Sequence, residues 1–116
     1  MTLHVIAGEE DKRATLNAIR VRLKPGARFI LANNCIDPAG WNRDRAVERF
    51  VRYARFNGVS EDIVSKAHRH ILGEDAHMQS EQADRALLAQ CGFDDIDLVY
   101  AGLSWRGWCA TVPEQA

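Results

Sequence analysis

Lys24-Pro25-Gly26-Ala27-Arg28-Phe29-Ile30-Leu31 decides how the rest of the chain is read. Pro25 fixes φ and has no amide donor, so a helix arriving from upstream stops there. Gly26 supplies the positive φ of a tight turn. The apolar run that follows, 28–33, lacks helical spacing and predicts a strand buried on both faces. Working upstream, Ala14, Leu16, Ile19 and Leu23 recur at helical spacing behind the acidic start Glu9-Glu10-Asp11, which predicts an amphipathic helix over 9–23. Before it, Met1 to Ala7 reads as a short strand or an irregular lead-in.

Downstream, Asp37-Pro38-Ala39-Gly40 predicts a turn. Trp41, Ala46, Val47, Phe50, Val51 and Ala54 then fall on one helix over 41–56, closed by Asn57-Gly58. Ser60 and Glu61 open a second, with Ile63, Val64, Ala67, Ile71 and Leu72 as its stripe and Gly73 at its end. A capping-box-like Ser80-Glu81-Gln82-Ala83 opens a third, which Gly92 closes. Ile96, Leu98 and Tyr100 alternate as in a half-buried strand, 101–106 is a bend, and 107–112 is the last strand. The element order is therefore α-β-α-α-α-β-β, and its 116 residues suit one domain, 1–116.

Composition narrows the function classes. A formal charge of −1 gives no overall pull toward nucleic acid or an anionic membrane. The apolar runs are far shorter than the roughly 20 residues that cross a bilayer, and 1–8 lacks the basic and apolar regions of a signal peptide. Cys35, Cys91 and Cys109 are odd in number and widely spaced, so they read as thiols of a reduced, cytoplasmic compartment.

The turn at Lys24-Pro25-Gly26, the strand after it, a helical segment, a helix ending Cys91-Gly92-Phe93 and two closing strands together resemble the C-terminal half of class I S-adenosylmethionine (SAM) methyltransferases. Phe56-Asn57-Gly58-Val59-Ser60-Glu61 through His77-Met78-Gln79-Ser80 resembles the helical insertion of the ubiquinone-methyltransferase and carboxy-SAM-synthase branch. The resemblance implies an α/β, truncated Rossmann-like fold with three strands in the order 5-7-6, the last two antiparallel, and four helices. It makes 37–79 an insertion that acts as a pocket lid. It also implies that the glycine-rich SAM loop and the acidic ribose ligand lie outside this chain, since Gly8, Gly26 and Gly40 are too dispersed to replace the loop. Met1 would then sit at or just past the end of the fourth strand. The intact enzyme would use SAM to methylate a small molecule. The chain alone would bind no cofactor, and the unflanked fifth strand, or the face meant for the missing half, would drive homo-oligomerisation. A module that completes a partner carrying the SAM loop is the alternative.

Candidate site residues follow from the same segments. Arg45, Arg49 and Arg52 share one helix face, with Arg43 and Arg55 near them, and could grip phosphate or carboxylate. The resemblance makes Trp41, Arg49, Arg52, Tyr53 and Phe56 substrate-pocket residues, and aligns either His68 or Arg69 with an arginine that holds cofactor-bound carboxylate in carboxy-SAM synthases. His68 and His70 point to different sides of a helix, so with His77 they form no convergent metal site. Ser104 and Cys109 have no positioned histidine nearby in sequence, and no catalytic residue is assigned.

Overall fold

The computed structural model describes residues 2–72 and 77–114. Met1, the side chain of Leu72 and Gly73 lie outside the described residues. The elements run α1 (Glu9–Arg20), β1 (Arg28–Asn34), α2 (Arg43–Phe56), α3 (Glu61–Leu72), α4 (Glu81–Gln90), β2 (Asp94–Gly102) and β3 (Trp105–Thr111). Each sits where the periodicity put it, to within a few residues at the ends. The lead-in 2–7 is irregular.

Local chemistry sets the boundaries. Gly26 has φ 77° and donates its amide to the Val112 carbonyl, so the turn after α1 also starts the sheet. Gly92, at φ 84°, turns the chain out of α4 in the left-handed conformation that glycine adopts without Cβ strain. The Ser80 hydroxyl accepts from the Ala83 amide at 3.1 Å and caps α4.

The sheet has the order β1-β3-β2, which is the expected 5-7-6. Its pairing corrects the expectation in one respect. β3 runs antiparallel to β1 as well as to β2, with Leu31 opposite Trp108 and Leu98 opposite Trp108 on the other side, so no parallel pair exists among the described strands. Phe29 and Leu31 of β1 share a face with Trp108 and Ala110 of β3, and α1 and α4 cover that face. Leu3, Leu16, Leu31, Leu87, Leu88 and Phe93 close this core, and the Phe29 and Phe93 rings stack 5.2 Å apart.

Ile30 points to the opposite face and is 58% exposed, so β1 is not buried on both faces as its composition predicts. β2 is not half-buried either. Two register shifts disrupt its alternation, and Leu98, Val99 and Tyr100 are all exposed. The outer side of β1 is not bare along its length. The Asn34 amide donates to His4 Nδ1 at 3.1 Å and the Leu3 amide to Asn33 Oδ1 at 2.6 Å, so the lead-in seals the carboxyl end of the strand.

A second, separate core joins α2 and α3: Ile36, Val47, Val51, Ala54, Val64 and Met78. Because this helix pair stands beside the sheet and not on it, the molecule is elongated, 53 × 25 × 25 Å.

Candidate functional site

Since β3 opposes both neighbours, the carboxyl ends of β1 and β2 lie at the same end of the sheet. A cavity of about 410 Å³ opens there, between the chain leaving β1, the β2–β3 turn, the start of α4 and the first half of α2. Trp41 and Arg49 of the expected substrate residues line this cavity.

The cavity is polar and ordered from behind. Arg106 donates Nε to Glu81 Oε1 at 2.5 Å and Nη1 to the carbonyls of Leu103 and Trp105, which holds the β2–β3 turn against α4. Leu103, in that turn, sits at φ 53°, a conformation that costs a non-glycine residue roughly 1–2 kcal/mol. Asn34 Oδ1 accepts from the Ser104 hydroxyl, and the Cys35 amide donates to the Ser104 carbonyl at 2.8 Å.

Beneath the cavity lies a polar cluster that the sequence reading did not find. Asp84, 1% exposed, accepts from Gln79 Nε2 at 2.7 Å, Asn33 Nδ2 at 3.1 Å and the Cys35 thiol at 3.0 Å. Lys12, 4% exposed, donates to the His77 carbonyl and is attracted by the Asp84 charge. Burial lowers the Lys12 pKa, partly opposed by Asp84. Burial and the Asp84 carboxylate push the Cys35 thiol far above its usual range, which disfavours the thiolate at this edge of the cavity. Burial also lowers the His4 pKa, helped by the positive charge on Lys12, and the neutral ring accepts from Asn34. One signal could have found the cluster: Asp84 occupies the apolar face of α4, three and four residues before Leu87 and Leu88.

The remaining candidates divide. At 100° per residue, Arg45, Arg49, Arg52, Tyr53 and Phe56 fall within about 100° of arc on α2, opposite buried Val47, Val51 and Ala54. Only Arg49 reaches the cavity. Arg52 pairs with Glu48 at 2.8 Å, while Tyr53 and Phe56 face solvent, the latter 90% exposed. Those two aromatics are not pocket walls in this arrangement.

His68 and Arg69 line a different space of about 530 Å³ between α2 and α3, floored by Val47, Val51 and Val64. Their groove and the strand-end cavity share no lining residue, so the expected substrate and cofactor residues are not brought together. Among the described residues no group of three His, Cys, Asp or Glu side chains could hold a metal ion.

No family model matches the chain, and no curated protein matches it. Among solved structures it is similar to one described as a possible exported protein from Bordetella parapertussis, with a TM-score of 0.64 and 13% identity over 94% of this chain. The chain spans 35% of that protein's length. At this identity the likeness shows the fold alone.

Proposed function

We propose that the chain is the rear part of a SAM-dependent methyltransferase fold, supplying the last strands and the lid over the acceptor, and that it is inactive by itself. The observation that supports this reading is the strand order β1-β3-β2 with a polar cavity at the carboxyl ends of β1 and β2. The described residues do not fit SAM. Gly8, Gly26 and Gly40 lie in three separate turns, and His68 and Arg69 open onto another groove. What this chain contributes is placement, with Arg49 and Trp41 orienting an acceptor, and alignment supplies most of the rate in methyl transfer. The three thiols, none in a disulfide, suit a reducing compartment such as the cytoplasm.

Calorimetric titration of SAM into the chain tests the proposal. The expected result is no binding in the micromolar range, and micromolar affinity for the chain alone refutes it. A second reading, a module that pairs with another copy or another chain, is favoured by the exposed apolar residues Leu98, Val99 and Tyr100 on edge strand β2. Light scattering at about 10 μM tests the pairing with a second copy, and a monomeric mass refutes that form of it.

A further inference from the structure

Four charged side chains line the strand-end cavity: Asp37, Arg49, Glu81 and Arg106. Two of them neutralise each other, since Glu81 and Arg106 form the 2.5 Å pair that fixes the β2–β3 turn. The other two are not committed to each other. Arg49 makes no ion pair with the described residues, in contrast to Arg52 and Arg55 on the same helix, which bind Glu48 and Glu61. Asp37 spends one carboxylate oxygen on the Ala39 amide at 3.0 Å and keeps the other. The cavity lining thus includes one guanidinium without an ion pair and one carboxylate oxygen without a hydrogen bond among the described residues, together with the Trp41 ring, 88% exposed.

The geometry points to a ligand class: a small organic acid that also carries a hydroxyl or amino group, its anion on Arg49, its donor on Asp37 and a flat apolar body against Trp41. A simple anion satisfies only Arg49 and leaves the Asp37 charge opposed to it. A simple cation has the converse fault. A cavity of about 410 Å³ suits a molecule of one or two rings. This inference rests on reading the cavity as the acceptor site, and its test involves no SAM, so the two can fail separately.

Three probes of nearly one shape decide it: mandelate, which has both groups; mandelamide, which lacks the anion; and phenylacetate, which lacks the hydroxyl. Calorimetry or ligand-observed NMR on the chain should rank mandelate first, with mandelamide about tenfold or more weaker, because a hydrogen bond to a charged group is lost. Phenylacetate should also be weaker by about tenfold or more, because the hydroxyl's hydrogen bond to the Asp37 carboxylate is lost. Arg49→Gln should abolish the preference for mandelate over mandelamide and leave the preference over phenylacetate. Asp37→Asn, whose side-chain oxygen still accepts from Ala39, should do the reverse. Arg52→Gln, outside the cavity on the same helix, should change neither. Equal affinity for the three probes, no binding of any at about 10 mM, or preferences that survive both substitutions would overturn the inference.

Discussion

Asp84→Ala should be among the most damaging single changes in the molecule. The wild-type carboxylate is 1% exposed and accepts three hydrogen bonds, from Asn33, Cys35 and Gln79, while attracting the buried Lys12 ammonium. Truncation leaves the Asn33 amide group without its acceptor at about 1–3 kcal/mol. It also leaves a buried ammonium without its counter-charge, so the whole cost is about 3–5 kcal/mol. Gln79, only part-buried, recovers water. A chain of this size has roughly 6–17 kcal/mol to lose, so the variant should unfold at clearly lower urea.

Lys12 bounds that loss. Its pKa is already lowered by burial, and Asp84 is the first of the charges that raise it. Without Asp84 the folded pKa drops further below its unfolded value, the unfolded state binds more protons in that window, and stability rises with pH. The deficit of Asp84→Ala should accordingly shrink between pH 7 and pH 9, and Lys12→Met should remove this pH dependence. Urea titrations of both single variants and the double at the two pH values give the coupling, expected at about 1–2 kcal/mol. A cost under about 1 kcal/mol with no pH dependence would refute the view of Asp84 as the buried centre of this cluster.

Three further outcomes are expected. His4, with its pKa lowered by burial, stays neutral in the fold while the unfolded chain takes up a proton below about 6.5; stability should fall between pH 7.5 and 5.5, and His4→Gln, followed by urea midpoints, should flatten part of that slope. Cys35 should react with iodoacetamide at pH 8 at least about tenfold more slowly in the folded chain than in urea, and mass spectrometry showing equal rates would contradict its placement beside Asp84. Leu88→Ala, at a fully buried position, should cost about 2–5 kcal/mol, whereas Phe56→Ser, 90% exposed, should stay within about 0.5 kcal/mol by urea denaturation.

What the sequence made legible was what periodicity and turn chemistry encode. Asn57-Gly58 and Gly92 ended helices where expected and Ser80 capped α4, while α1 stopped at Arg20, short of the expected 23. Strand order came from the resemblance, and the β1–β3 direction did not, because pairing sense is a property of the returning chain and not of Phe29 to Asn33. Burial was misread where apolar residues fall on uncovered surfaces: Ile30 on the bare sheet face, Leu98 to Tyr100 on a bulged edge, Tyr53 and Phe56 on the outer arc of α2. Lys12 carried no sequence signal; only the three-dimensional meeting of α1, β1 and α4 brings it under the influence of the Asp84 charge. Trp41 and Arg49, both singled out in the sequence, line the strand-end cavity, while Asp37 and Arg106 entered only with it.

The two separate cores bear on how this protein can change over time. Substitutions among Val47, Val51, Val64 and Met78 repack only the α2–α3 pair, and those among Leu16, Leu31, Leu88 and Phe93 repack only the layer on the sheet. Trp41 and Arg49 ride on the first unit, whereas Glu81 and Arg106 belong to the second. Changes in the helical pair can therefore shift Trp41 and Arg49 relative to Glu81 and Arg106 without touching the residues packed on the sheet.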